Sequence, residues 1–444
     1  MKKCFLSFCV LIGLVTSIQS FALDSRGYID RAVVLIEEGD FSLARSYLGP
    51  ALVDPYIAPD LRSKAFYLRG YSYYAQGLPV SALRDFNRAL EFSPNNPVVL
   101  FMVGRAHYEG LGTKPDPALG VGLFQRSADA GHEGASAYLG FALLQGNGIT
   151  KDLPRARSLL SVVAEEKGDA FAMVQMARSY RQEVTDSPDP ALAEQWYQRA
   201  FAAGEANAFV ALAYMYSKGE FELSEVAANK RSFSLLKQAM EAGAASAHAR
   251  LAYAHLSGIG TVVNYDKAFE LYMAGVELGQ VQSFAGIAHM FEAGLGRSVD
   301  LQQAESWYMR GIEAGDEYAH SALAYMLLGI NEDDRALQWL SRATQFGGAQ
   351  SHNDLAWLLA TSKIDELRNG ELSLQHALKA VGLEASAAYL DTLAAAYAES
   401  GLFEDALAAQ EQAIAAAALD EDEGVRQELE QHLLSYQKQE PWRE

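Results

Sequence analysis

The chain has 444 residues, half of them hydrophobic, and its 56 Asp and Glu outnumber its 36 Lys and Arg to give a net charge of −20. A surface this acidic repels phosphate backbones, and because no basic stripe interrupts it we expect no nucleic-acid partner. The two cysteines, Cys4 and Cys9, both lie near the N-terminus. The rest of the chain therefore has no thiolate for a disulfide, a metal or nucleophilic attack.

Residues 1–22 have the pattern of a secretory signal peptide. Lys2 and Lys3 precede an apolar run, and Ser20-Phe21-Ala22 supplies a small-x-small cleavage site. The apolar run is shorter than the roughly 20 residues of a membrane span, so cleavage before Leu23 is favoured over an uncleaved anchor. The mature chain would carry 34 Lys and Arg against 56 Asp and Glu, a net charge of −22. We expect an exported protein, periplasmic or secreted, without a membrane span after cleavage.

Residues 23–96 carry small and large side chains at the spacing of paired antiparallel helices. A shorter copy opens this region, with Gly39-Asp40-Phe41 as its turn and Ala44 after it. The fuller copy consists of Gly70, Tyr73, Gly77, Ala82, Phe86, Ala89 and Pro94. At these positions the segment resembles a tetratricopeptide repeat, which implies stacked helical hairpins.

A second signature, A-x-x-x-G, with Ser or Gly in place of Ala in three copies, recurs along the middle of the chain. Its closing glycines are separated by 32 to 39 residues and fall at 131, 168, 204, 243, 279, 315 and 347. This period is typical of helical repeats that bury their apolar faces on their neighbours. Several repeats add a G-x-G pair, at 110/112, 146/148, 258/260 and 294/296. On these motifs residues 97–347 resemble Sel1-like repeats, although the repeats at 171–204 and 206–243 lack the G-x-G.

The C-terminal region returns to the first pattern. Residues 348–418 resemble tetratricopeptide repeats, and residues 419–444 are predicted to form an acidic turn and a capping helix near 424–437. Five aspartates are predicted to cap helix N-termini: Asp60, Asp152, Asp189, Asp266 and Asp300. With apolar residues at helical spacing and no alternating pattern, the sequence predicts an all-α solenoid of about eleven stacked hairpins and a terminal helix.

The motifs that carry catalysis are few in this sequence. The G-x-G pairs follow the repeat period rather than a strand, so we interpret them as turns and not phosphate loops. Ser234-x-x-Lys237 and Ser435-x-x-Lys438 have the spacing of a serine nucleophile and its lysine, but S-D-N and K-T-G are absent. His107 and His255 are predicted to pack inside hairpins. We expect no enzyme activity, metal or cofactor. The alternative is an envelope enzyme, or a protein that binds β-lactams or peptidoglycan fragments.

The first helix of each hairpin should line the concave face of a solenoid, and the residue after its small contact residue should point into that groove. This position, the groove series, is almost entirely aromatic or Arg: Tyr71, Arg105, Phe141, Arg178, Tyr214, Tyr253, His289, Tyr325 and Trp357. Neighbouring positions add Tyr67, Tyr74, Phe101, Tyr108 and Arg181. Such side chains dominate protein-binding hot spots. The competing interpretation is that they only fill space between helices.

Exposure separates the two interpretations of the groove series. Groove residues should be partly exposed, whereas the second-helix residues Trp196, Trp307 and Trp339 should be buried between repeats. The preferred hypothesis is an exported scaffold that binds a protein or peptide, and the Sel1-like resemblance implies adaptor or assembly roles. A third hypothesis, a glycan or small-ligand binder, requires Tyr67, Tyr71 and Tyr74 to converge on one pocket.

Overall fold

The computed structural model describes residues 24–346, 348–417 and 423–444. Within these ranges every regular element is a helix, with 23 α-helices and no strand. The predicted signal peptide, Gly347 and the acidic residues 420–422 lie outside the described residues. None of the described helices is long and apolar enough to cross a membrane. The chain divides into two compact units, an N-terminal unit that ends at Glu205 and a C-terminal unit that begins at Ala206.

The N-terminal unit contains ten helices. They are α1 (Ser25–Glu37), α2 (Phe41–Val53), α3 (Pro59–Ala75), α4 (Pro79–Phe92), α5 (Pro97–Glu109), α6 (Pro117–Asp129), α7 (Glu133–Gln145), α8 (Leu153–Glu166), α9 (Ala170–Ser179) and α10 (Pro190–Ala202). Each odd-numbered helix pairs with the helix that follows it. This unit is therefore five hairpins stacked in chain order.

The C-terminal unit continues the same alternation. Its helices are α11 (Asn207–Ser217), α12 (Glu225–Glu241), α13 (Ala247–Ser257), α14 (Tyr265–Glu277), α15 (Gln282–Glu292), α16 (Leu301–Glu313), α17 (Tyr318–Leu328), α18 (Asp333–Ala343), α19 (Ala349–Thr361), α20 (Gly370–Leu383), α21 (Ala387–Glu399), α22 (Phe403–Ala417) and α23 (Glu423–Gln437). These helices form six hairpins and a last helix in the chain order of the repeats. The predicted all-α solenoid, with its eleven hairpins and terminal helix, is confirmed.

First helices of neighbouring hairpins pack directly on one another inside each unit. Such contacts join α1 to α3 and α7 to α9 in the N-terminal unit, and α13 to α15, α15 to α17 and α19 to α21 in the C-terminal unit. Second helices pack mainly on their own hairpin and on the next first helix. In each unit the first helices therefore form the inner layer, which is where the sequence placed the groove series.

The contact between the two helices of a hairpin depends on small residues in the first helix. A Cβ added to Gly70 or Gly104 would lie 2.8 or 2.9 Å from the ring of Phe86 or Phe124 on the second helix. Gln410, which replaces this aromatic residue in α22, is fully buried and donates from Nε2 to Asp391 at 2.6 Å. A polar network thus stands at the position that Phe86 and Phe124 occupy in the α3–α4 and α5–α6 hairpins.

The glycines of both repeat motifs occupy turns, as expected. Both members of each G-x-G pair have positive φ, for example 75° at Gly110 and 78° at Gly112. The closing glycines at 131, 168, 204, 243, 279 and 315 also lie in the left-handed region, with φ between 69° and 97°. A left-handed residue after a helix satisfies its last carbonyls, and glycine adopts that conformation without strain.

Three of the five predicted N-caps are confirmed. Asp152, Asp189 and Asp300 each accept a hydrogen bond from the backbone N–H three residues later. The prediction is wrong for Asp60, because Pro59 starts α3 one residue earlier. It is also wrong for Asp266, because Asn264 caps α14 two residues before it. Both aspartates lie in the first helical turn, where a negative charge still favours the helix dipole.

The second-helix tryptophans are less uniformly buried than predicted. Trp196 is buried, but Trp307 and Trp339 are half-buried. In all three cases an arginine one turn later covers the indole: Arg199, Arg310 and Arg342 lie 4.0, 3.8 and 4.5 Å from the ring centroids. The rings therefore contribute cation–π contacts at the outer surface as well as packing area.

Candidate functional site

None of the nine residues of the groove series is buried. Tyr253, Tyr325 and Tyr71 are 54%, 52% and 37% exposed, and His289 is also exposed. The other members are half-buried: Arg105, Phe141, Arg178, Tyr214 and Trp357. The small residue before each of them packs inside the hairpin, which turns the following side chain toward the inner layer. The series thus presents partly exposed aromatic and Arg side chains.

Two of the neighbouring residues do not offer an accessible surface. Tyr108 is 7% exposed and Arg181 is 8% exposed. Tyr108 packs on the rings of Phe124 and Phe141, with centroids 5.6 and 6.2 Å away, and Arg181 pairs with Glu183 at 3.1 Å. Each of the two lies three residues after a member of the groove series, where neighbouring side chains cover it. The sequence-based assignment of these two residues to a binding surface is therefore corrected.

In the N-terminal unit the groove series belongs to a continuous cluster of rings. Tyr138 stands at its centre, with ring centroids 5.2 Å from Phe101 and 5.0 Å from Phe171. The guanidinium of Arg105 lies 5.2 Å from the Tyr138 centroid and forms a bidentate ion pair with Glu109. Burial raises the pKa of Tyr138 to about 12. Tyr138 keeps its proton at neutral pH and can donate a hydrogen bond.

Sequence reasoning missed Tyr138 and Phe171, although helical periodicity could have found them. They precede groove-series residues Phe141 and Arg178 by three and seven positions, which places each on the same helix face. Tyr67, Tyr71 and Tyr74 do not converge on a pocket. Tyr67 packs beside Tyr71 and Phe86, while Tyr74 faces Arg105 above a cavity of only 10 Å³. This arrangement gives no support to a glycan pocket at the three tyrosines.

The C-terminal unit contains a cavity of about 630 Å³ between α11, α12, α13 and α14. Two groove-series residues, Tyr214 and Tyr253, line it. Its polar lining consists of Tyr214, Ser217, Asn229, Ser232, Ser246, Arg250, Tyr253, Tyr272, Gln280 and Gln282. Ala213, Leu236, Ala249, Ala254 and Ile259 add apolar walls. Apolar walls combined with convergent polar groups are typical of a ligand-binding pocket.

The charge of this pocket is opposite to that of the chain. Among the residues that the structure describes, Arg250 is the one charged residue that lines it, and no Asp or Glu does. Arg250 is exposed and lies 5.9 Å from the centroid of Tyr214. Burial, with a further contribution from neighbouring Tyr253, raises the pKa of Tyr272 to about 12, so its hydroxyl stays protonated. The pocket can therefore stack an apolar group and donate hydrogen bonds to an acceptor such as a carboxylate.

The last two members of the groove series lie near the end of the C-terminal unit. Burial raises the pKa of Tyr325, and nearby Asp354 and Glu444 raise it further. The ring of Trp357 lies 5.8 Å from that of His432 on α23. His289, in the middle of the unit, approaches Glu292 at 3.9 Å, and this carboxylate raises the pKa of the imidazole. The side chains of the groove series thus differ from one another in charge and hydrogen-bonding groups along the inner layer.

The Sel1 repeat family model matches six stretches of the sequence, at residues 97–132, 134–165, 170–205, 204–243, 245–279 and 282–316. The chain is a Sel1-repeat protein. The matches include the two repeats without a G-x-G pair. The pattern of the helices therefore identifies the repeat even where the loop varies. The resemblance drawn from the A-x-x-x-G and G-x-G motifs is therefore confirmed over residues 97–316.

Several solved structures are similar to this Sel1-repeat protein. One is c5321, described as a protective antigen of uropathogenic Escherichia coli with an SLR fold, at 21% identity over 94% of this chain and 92% of that chain, with a TM-score of 0.45. A Sel1 repeat protein from Oxalobacter formigenes is 20% identical over 55% and 96%, with a TM-score of 0.43. Yeast Tom70 is 14% identical over 94% and 96%, with a TM-score of 0.47. The family assignment rests on the six matched repeats.

The two S-x-x-K motifs of the Sel1-repeat chain do not form serine–lysine pairs. Lys237 lies 3.8 Å from Glu241, and Ser234 accepts from Gln238 at 3.4 Å. Ser435 donates its hydroxyl to the carbonyl of Glu440 at 2.8 Å. Neither serine is therefore placed for activation by its lysine. The predicted hairpin histidines His107 and His255 are half-buried, and His255 packs edge-on against Phe233 with centroids 5.3 Å apart.

Proposed function

We propose that this Sel1-repeat protein is an exported, non-enzymatic scaffold that binds an extended segment of a partner protein in the pocket between α11 and α14. Sel1-like and tetratricopeptide-like repeats are typically protein-binding scaffolds. The observation that carries the proposal is the pocket itself. It combines two exposed or half-exposed tyrosines with an arginine that has no ion-pair partner among the described residues.

The chemistry of the pocket favours a segment with a carboxylate beside an apolar side chain. A carboxylate is attracted to Arg250, and no lining carboxylate repels it. The rings of Tyr214 and Tyr253 offer area at a small entropic cost, since each tyrosine has only two side-chain torsions. A preformed helical layer lowers the cost of ordering the bound segment further.

A capture experiment tests this function. We expect wild-type protein to retain a partner that a Tyr253→Ala, Arg250→Gln double variant loses by about tenfold or more, because loss of a charged hydrogen bond and a buried ring costs at least about 1.5 kcal/mol. The control is a Tyr56→Ala, Arg84→Gln variant, which changes the same residue types at exposed positions of the N-terminal unit. Equal recovery of partners by both variants would show that the pocket is not the binding site.

Export is supported by the signal-like pattern of residues 1–22. N-terminal sequencing of the chain from fractionated cells should give Leu23 as the first residue of the exported form. An intact N-terminus on a cytoplasmic chain would contradict export.

A further inference from the structure

The last residues of the chain fold back onto the end of the C-terminal unit. After α23 ends, Gln439 adopts a positive φ of 58°, and the Glu440 N–H donates to the Ser435 carbonyl at 3.1 Å. Residues 438–444, the tail, then run without helical structure to Glu444. The turn is therefore fixed by hydrogen bonds, and it directs the chain end toward α19 and α21.

Main-chain groups at the end of α19 hold the tail. The Glu444 N–H donates to the Thr361 carbonyl at 2.9 Å, and Arg443 Nη1 donates to the Ala360 carbonyl at 3.1 Å. The last carbonyls of a helix have no intrahelical donor and need an outside partner. The tail thus supplies donors to acceptors that α19 leaves open, as an extended peptide ligand would.

Two side chains give the tail its specificity. Arg443 Nη2 lies 2.6 Å from Glu399 at the end of α21, and Arg368 holds the other oxygen of that carboxylate at 3.1 Å. Trp442 packs against His432, with ring centroids 4.4 Å apart and ring planes tilted by 49°. The contacts select an aromatic residue followed by an arginine.

The fit of the tail leaves polar atoms unsatisfied. The indole N–H of Trp442 and Nε2 of His432 are buried, and neither has a hydrogen-bond partner among the described residues. A buried donor without an acceptor weakens binding. A tethered segment nevertheless stays bound, because its effective concentration is on the order of millimolar. The tail can therefore occupy its site while a better-matched segment competes with it.

We propose that Glu399, His432 and the carbonyls of Ala360 and Thr361 form a recognition site for extended segments with an aromatic residue followed by Arg, which the chain's own Trp442-Arg443 occupies in cis. A partner segment of this chemistry binds by displacing the tail. The site shares no residue with the pocket between α11 and α14, and binding here does not depend on that pocket.

The test uses a labelled peptide with the sequence of residues 438–444, Lys-Gln-Glu-Pro-Trp-Arg-Glu, and a chain shortened by Pro441–Glu444. Fluorescence anisotropy should show that the shortened chain binds the peptide at least about tenfold more tightly than the full chain, whose site is occupied. Peptides with alanine for Trp or glutamine for Arg should lose about tenfold or more in affinity. Glu399→Gln in the shortened chain should weaken binding of the unchanged peptide to a similar degree.

A full-length Trp442→Ala, Arg443→Gln variant keeps the chain length and provides a second open form if shortening disturbs folding. It should also bind the unchanged peptide more tightly than wild type, with an unchanged circular dichroism spectrum. Equal binding to the open and full chains, or equal binding of the three peptides, would overturn the proposal. Loss of the α11–α14 pocket by Tyr253→Ala should leave this peptide's affinity unchanged, which separates the two sites.

Discussion

Two imidazoles meet where α19 packs on α20, with Nδ1 of His352 2.8 Å from Nδ1 of His376. One nitrogen must donate and the other accept, so the contact requires at least one neutral ring. His352 is buried, and burial together with the charges of Lys379 and His376 lowers its pKa to about 4. Burial and Lys379 also lower the pKa of His376. The folded chain therefore favours the neutral pair.

The sign of the resulting pH dependence follows from linkage. The pKa of His352 falls from its ordinary value of 6.5 to about 4 on folding, so between these values the unfolded chain binds more protons. The stability that neutral His352 contributes is complete above pH 6.5 and is lost as the pH falls toward 4. At about 1.4 kcal/mol per pH unit, the loss amounts to about 2–3 kcal/mol.

Urea denaturation at a series of pH values checks this expectation. In wild type the free energy of unfolding should fall from pH 6.5 to 4, and His352→Gln should flatten that slope. His289→Gln is the matched control, because Glu292 raises the pKa of His289 and its contribution is instead lost as the pH rises. An unchanged acid slope in His352→Gln would show that the buried imidazole does not couple to folding.

The spacing of small residues in the repeats explains which site residues could be predicted. Alignment of the small residues fixes the rotation of each first helix, so exposure of Tyr71 or Tyr253 follows from one position in the pattern. The same spacing does not predict which side chains a neighbouring hairpin buries. Tyr108 and Arg181 were misplaced for this reason, because their burial depends on contacts between elements rather than on spacing within a helix.

Glycine has three different roles in the hairpin of α5 and α6. Gly122 lies inside α6, and a Cβ there would meet no atom within 4 Å. Gly131 follows α6 with φ of 87° and equally open surroundings. Gly112 has φ of 78°, and its Cβ would lie 2.5 Å from the carbonyl carbon of Pro79 in the preceding hairpin. Only the last position combines backbone strain with a main-chain clash.

Alanine substitutions should therefore rank in that order. Gly122→Ala should stabilise the chain by up to about 1 kcal/mol, since alanine favours a helix interior. Gly131→Ala should destabilise it by about 1–2 kcal/mol through left-handed strain. Gly112→Ala adds the displacement of Pro79 and should cost about 2–5 kcal/mol in total. Urea denaturation measures all three, and a Gly112→Ala loss no larger than that of Gly131→Ala would refute the role of close packing.

The exact first residues of helices were harder to predict from the sequence than the helices themselves. Helix existence followed from the repeat period, but the caps of α3 and α14, Ala58 and Asn264, each lie two residues before the predicted aspartate. Asn264 and Asp266 are both competent caps, and Pro59 can start a helix as readily as Asp60 can precede one. Only the backbone conformation selects between neighbours of similar propensity.

The number of hairpins could be predicted from the sequence because each repeat has a similar spacing of small residues and cannot bury its apolar face alone. The division after Glu205 lies at the junction of the two repeats without a G-x-G pair. The pocket beside α11–α14 was not predicted, because it depends on the relative placement of four helices. Charge, by contrast, is a property of composition and acts on the chain as a whole.

The excess of 20 negative charges should make stability rise with salt. Like charges repel more strongly in the compact state than in the expanded chain, and 0.1 M salt reduces the screening length to about 10 Å. We expect the melting temperature to increase as NaCl is raised from low concentration to about 0.3 M. An uncharged osmolyte at the same osmolality is the control, because it does not screen charge. Since ion pairs such as Arg443–Glu399 are weakened by the same screening, a melting temperature that falls with NaCl would show that local pairs outweigh net repulsion.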